Sequence, residues 1–131
     1  INAMRGAYIL ADSDKQTPDV ILLASGSEVD LAMKAKAELK TQNIDARVVS
    51  VPCMELFDKQ SAEYKNTVLP NGVRARVAIE AGTPDCWYKY VGLDGKVIGM
   101  KSFGASAPFA DLLKKFGFTV ENVVKTVKEV L

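Results

Sequence analysis

Apolar residues along this chain gather into five short runs, with polar or amphipathic stretches between them. Residues 20–24 (VILLA) are apolar without a break, which marks a strand buried on both faces of a sheet. Residues 46–51 form a second buried run, ended by Pro52. Residues 7–11, with Tyr8 and Ile9, fit a short edge strand. Residues 75–79 and 96–100 supply two further strands, the former flanked by Arg74 and alternating through Arg76.

Between these runs the period changes. From Val29, apolar Ala32, Ala35 and Leu39 recur at helical spacing while Lys34, Lys36, Glu38 and Lys40 fall outside the stripe, and Asn43 is a stop. Residues 56–68 mix short helical pieces with polar residues. Residues 84–90 begin a short helix or irregular turn that carries Trp87. Phe109, Leu112, Leu113 and Phe116 mark a helix that Gly117 terminates. Thr119 caps the last helix, whose stripe is Val120, Val123, Val124, Val127 and Leu131. Strands alternating with helices over short links imply right-handed crossovers and a mainly parallel sheet covered on both faces, an α/β fold.

At 131 residues the chain fits one domain, long enough to bury roughly two thirds of its unfolded surface. Seventeen basic and sixteen acidic residues leave a net charge of +1 with no basic block, so nucleic acid is not an expected partner. No apolar run approaches the roughly 20 residues that span a bilayer, so no membrane association is expected either. The start shows no apolar signal-peptide core, and Asn2-Ala3-Met4 reads as a cloning remnant, which assigns residues 1–4 to the remnant and 5–131 to the domain. Histidine is absent, which removes the commonest general base, the commonest transition-metal ligand and any Ser-His or Cys-His pair. The two cysteines, Cys53 and Cys86, have neither metal nor disulfide-framework spacing and read as reduced, inert thiols of a cytoplasmic protein.

Three places remain where chemistry could reside. Ser25-Gly26-Ser27-Glu28 follows a buried strand and opens a helix, a geometry that can hold an anion on free N–H groups. The same residues also read as a self-capping box, Ser25 with Glu28 or Ser27 with Asp30, whose acid already occupies the helix dipole. Glu80 ends a strand at the edge where ligands of open α/β sheets bind; it reads either as a functional carboxylate or as a residue that anchors loop backbone or pairs with a neighbouring Arg. Trp87, Tyr88 and Tyr90 divide between core and an interface.

An ordered series of segments goes further. It comprises Asp19-Val20-Ile21-Leu22-Leu23-Ala24-Ser25-Gly26-Ser27-Glu28-Val29, then Arg47-Val48-Val49-Ser50-Val51-Pro52 and Glu55-Leu56-Phe57-Asp58. Glu80-Ala81-Gly82, Trp87-Tyr88-Lys89-Tyr90-Val91-Gly92-Leu93-Asp94-Gly95 and the loop GMKSFGASAP at residues 99–108 complete it. In this order, from about Gly6 to Leu131, the chain resembles the C-terminal domain of transketolases. The resemblance implies a three-layer α/β/α sandwich on a five-stranded, mostly parallel sheet with the first strand antiparallel at an edge. It implies a parent enzyme that moves a two-carbon ketol unit between sugar phosphates in the pentose phosphate pathway, using thiamine diphosphate and magnesium or another divalent metal. The histidines and acids that do that work belong to the preceding domains, so no catalytic, cofactor-binding or metal-binding residue falls on this chain. Its implied role is to pack on those domains and to help form a homodimer, with Trp87, Tyr88 and Phe103 as interface candidates. The competing expectation is a free-standing regulatory or small-ligand-binding module that uses Ser25, Gly26 and Ser27.

Overall fold

A computed structural model of the chain describes residues 6–26, 28–80, 87–99 and 119–131. Ser27, Cys86, Phe103, most of the loop at 99–108 and the helix expected around Phe109 to Phe116 lie outside the described residues.

Five strands form one sheet: β1 (Tyr8–Ala11), β2 (Val20–Ala24), β3 (Ala46–Ser50), β4 (Arg76–Glu80) and β5 (Lys96–Gly99). Their order across the sheet is β1-β3-β2-β4-β5. β2 pairs in parallel with both β3 and β4, and β4 pairs in parallel with β5. β1 runs antiparallel to β3, with an irregularity between Ile9 and Ala11 that leaves Leu10 exposed at the edge. This is the expected α/β sandwich with one antiparallel edge strand.

The helices cover both faces. α1 (Glu28–Thr41) and α5 (Val120–Val130) lie side by side on the first face. There Val20, Leu22, Val48, Val77 and Ile79 meet Ala32, Ala35 and Leu39 of α1 and Val123, Val124 and Val127 of α5. The expected stripe of α1 is thus the buried one. Asn43 ends this helix in a left-handed conformation (φ 63°), and the Ile44 N–H returns to the Leu39 carbonyl at 3.0 Å. Thr119 caps α5, its hydroxyl accepting the Asn122 N–H at 3.2 Å. Leu131 departs from the expected stripe: it follows the last turn of α5 and is 57% exposed.

The second face carries α2 (Met54–Asp58), α3 (Ala62–Val68) and α4 (Tyr88–Val91). Ile21, Leu23, Val49 and Ala78 pack there against Phe57, Val68, Trp87, Tyr90 and Val91. Alternation along each strand decides the allocation, since successive side chains point to opposite faces.

Candidate functional site

The connections set where a site can form. β2 leads through α1 to β3 on one side, while β4 lies on the other side of β2, so the strand order reverses between β2 and β4. In open parallel sheets, ligands gather beyond the strand ends at such a reversal. Ala24 and Ile79 are register partners, which brings the next residues, Ser25 and Glu80, together at that point.

The two residues bond to each other. The Ser25 hydroxyl donates to Glu80 Oε2 at 3.2 Å, and the Trp87 indole N–H donates to the same oxygen at 3.1 Å. Trp87 is wholly buried. One carboxyl oxygen therefore joins the end of β2, the end of β4 and the start of α4. Beside it, Gly26 turns the chain with φ 58°, and Glu28, itself buried, approaches that turn. Asp30 adds a second acid to the first turn of α1. Two carboxyl groups thus occupy the place where an anion would sit, and the Ser25 hydroxyl is directed at one of them. These acids work against the expected anion use of Ser25 and Gly26 at a helix start whose positive dipole they already match, while Ser27, the third residue of that reading, lies outside the described residues. Glu80 holds the Trp87 indole and the Ser25 hydroxyl, which are side-chain partners and not the loop backbone or arginine expected from the sequence.

The aromatic turn also sorts itself. Trp87 and Tyr90 stack edge-on at 6.2 Å, Tyr90 meets Phe57 at 5.8 Å, and Phe57 meets Tyr64 at 6.2 Å. Such tilted pairs each add about 0.5–1.5 kcal/mol beyond their burial. Trp87, the residue just before α4, is wholly buried among these rings and is therefore corrected from an interface candidate to a core residue. Tyr88 is 47% exposed and keeps an aromatic surface toward solvent.

Between α2, α3 and α4 lies a cleft of about 320 Å³ lined by Asp58, Lys65, Asn66, Arg76, Lys89 and Tyr90 among others. Asp58 accepts the Tyr90 hydroxyl at 2.7 Å and pairs with Lys89 at 2.6 Å. Partial burial works against the Asp58 charge, but these hydrogen bonds and the Lys89 ammonium outweigh it and hold the carboxyl below its ordinary range. Arg76 reaches into the same region from β4. Its guanidinium donates to the carbonyls of Val73, Tyr90, Leu69 and Pro70 at 2.6–3.2 Å, and burial lowers its pKa. Arg47 of β3, 5% exposed, does likewise, donating to Asp12 at 2.8 Å and to the carbonyls of Thr67 and Val68 at 3.0 and 3.3 Å. The two arginines thus hold the carbonyl end of α3 and the segment after it, where a cation also complements the helix dipole. Sequence reasoning passed over both. The one available signal was a charged residue inside a strand otherwise apolar enough to be buried, since such a charge needs built-in partners. The Arg76 guanidinium at this cleft is thereby committed to backbone carbonyls. Among the described residues no three His, Cys, Asp or Glu side chains converge to hold a metal.

Comparison with known proteins places this geometry. A family model described as "Transketolase-like TK C-terminal domain" matches residues 6–119. Transketolase 1 of Vibrio vulnificus (strain YJ016) is 58% identical over 127 residues, covering 97% of this chain and 19% of that protein. Transketolase 2 of Pasteurella multocida (strain Pm70) is 54% identical over 132 residues, covering 99% of this chain and 20% of that protein. Among solved structures, a transketolase from Leishmania mexicana superposes with a TM-score of 0.87 at 44% identity, covering 98% of this chain and 18% of that one. The chain spans about a fifth of the length of the curated relatives it matches.

Proposed function

Because the chain belongs to the transketolase-like C-terminal domain family, we propose that its work in the parent enzyme is structural: it packs on the preceding domains and supports a homodimer. On this reading the complete enzyme acts in the cytoplasm, in the pentose phosphate pathway. It moves a two-carbon ketol unit from a ketose phosphate to an aldose phosphate. Thiamine diphosphate with magnesium or another divalent metal supplies the chemistry of that transfer, held by domains other than this one.

The described residues at the strand-end crevice do not fit the cofactor. A diphosphate and its metal need a run of N–H donors and free oxygen ligands. The strand-end crevice offers instead the Glu80 carboxyl, already bonded to Ser25 and Trp87, with Glu28 beside the Gly26 turn. Tyr88 is the described residue of the aromatic turn available to a neighbouring domain or subunit, and Phe103 is proposed to share that role.

The observation that carries the reading is the coverage: 97% of the chain matches 19% of a longer enzyme. A free-standing regulatory module would be expected to match proteins of its own length, and its anion site is opposed by the carboxyl groups described above. The test is an activity comparison. The full-length protein with thiamine diphosphate and magnesium should transfer a ketol unit, and the 131-residue chain alone should not. Calorimetry of the chain with cofactor and magnesium should show no binding. A dissociation constant tighter than about 100 μM, roughly 5.5 kcal/mol, would overturn the structural reading, as would turnover by the chain alone.

A further inference from the structure

The chain reaches its first strand through a residue that is locked to α2. Gly6 has φ 87°, in the left-handed region where glycine is favoured, and a Cβ there would collide with the Phe57 nitrogen and the Cys53 carbonyl oxygen. Its own carbonyl accepts the Cys53 N–H at 3.0 Å. Ala7 follows wholly buried, with its carbonyl accepting the Tyr64 hydroxyl at 2.7 Å. The polypeptide is thus fixed against α2 before the sheet begins.

Resting on the reading above, we propose that the preceding domain of the same polypeptide seats on the outer side of α2, centred on Leu56, and extends to Tyr88 of α4. The relatives carry about four fifths of their length outside the region this chain matches, and the match is to their C-terminal domain. What precedes that domain is therefore tethered at Gly6. A short tether gives the surfaces around it an effective concentration of the order of millimolar, well above any free partner. The surface at this tether carries one exposed apolar side chain among the exposed charges of Glu55, Asp58 and Lys59. Leu56 is 42% exposed, and its carbonyl carbon lies 2.9 Å from where a Gly6 Cβ would stand. The neighbouring Phe57 is 2% exposed in the core, so α2 is rigidly backed. α4 is fastened to α2 by Tyr90, whose hydroxyl donates to Asp58, and by the Lys89–Asp58 pair, and it carries the exposed Tyr88. An exposed leucine and an exposed tyrosine on a rigid backing suit the apolar centre of an interface.

The test uses the full-length enzyme loaded with thiamine diphosphate and magnesium, with Cys53→Ala as background. Leu56→Cys and Met33→Cys are labelled with a maleimide and read by peptide mass spectrometry. Met33 is a fair reference because it is 37% exposed, on α1, across the sheet. Leu56→Cys should label at least about tenfold more slowly than Met33→Cys. Equal rates would overturn the proposal. Protection of Leu56→Cys that disappears when dimers are diluted into monomers would assign the surface to a second copy and also overturn it. In the unsubstituted enzyme, hydroxyl radicals should oxidise Tyr88 about fivefold less than in the tryptic peptide that carries it, and oxidation at the peptide's rate overturns the α4 part. Ketol transfer is assayed in parallel. An active enzyme with fast Leu56→Cys labelling sinks the docking surface alone, whereas a folded, loaded enzyme without transfer sinks the parent reading.

Discussion

The two faces of the sheet are built by different means. The first is covered by two helices of 14 and 11 residues and filled with Val, Leu, Ile and Ala. One of its buried hydroxyls, that of Thr126, turns back onto the Asn122 carbonyl of its own helix at 2.8 Å. The second is covered by helices of 5, 7 and 4 residues and combines an aromatic cluster with Arg47, Arg76 and Glu80 from the strands. Helix length explains the contrast. A long amphipathic helix presents a continuous apolar stripe, and burying that stripe holds it. Helices of one or two turns lie far below the length that sustains itself in water. They stay in place here because large rings interlock beneath them and because, for α3 and α4, Arg47 and Arg76 from the sheet bond to their carbonyl ends.

This contrast is most exposed at Trp87. Trp87→Ala removes a fully buried ring and one donor to Glu80, and denaturant unfolding of the chain should show a loss of about 3–5 kcal/mol. Trp87→Phe keeps a ring without the N–H and should lose less. A Trp87→Ala loss below about 1 kcal/mol would mean that the second face does not fold cooperatively with the first. Next comes Arg76→Met, which keeps an apolar stem but removes the donors to four carbonyls; about 2–3 kcal/mol is expected. Arg76→Lys should recover only part of it, because an ammonium cannot reach several segments at once. Full recovery by lysine would show that charge alone matters there.

The first face should respond to a capping change instead. Thr119→Ala strands the Asn122 N–H and is expected to cost about 1 kcal/mol, with hydrogen exchange quickening in the first turn of α5 before it does in α1. The smallest effect is the pH response of the second face. The folded pKa of Asp58 lies below its ordinary 3.8, so its contribution is present above that value and is lost as pH falls through the lower, folded value. Comparing the unfolding midpoints of the parent chain and Asp58→Asn from about pH 6 to about pH 3 should show a gap that narrows with acid. A gap that widens would reverse the assigned direction.

What could be read in the sequence follows the same division. Ala32, Ala35 and Leu39, the unbroken run at residues 20–24 and the Thr119 cap were all visible, because periodicity and capping are local signals and dominate the first face. The second face depends on partners distant in the chain. Glu80 meets Ser25 across 55 positions and Asp58 meets Tyr90 across 32, and no spacing rule reports such pairs. The sequence leaves Trp87 between core and interface because three aromatic residues within a four-residue span do not define which of them turns inward at so short a helix. The apolar spacing continues to Leu131, but the helix ends at Val130.

Arg47 and Arg76 also constrain how the strands can align. Each sits at an alternating position, between Ala46 and Val48 and between Ala75 and Val77, whose side chains line the first face or pack against it. A slip of β3 or β4 by one residue would exchange the faces and drive a guanidinium into a layer of aliphatic side chains, where the carbonyls of α3 are out of reach. Parallel pairing among near-continuous apolar runs offers little else to tell one alignment from the next. A misaligned sheet is thereby penalised at the first attempt to close its second layer, and the two charges act as proofreaders of strand register during folding.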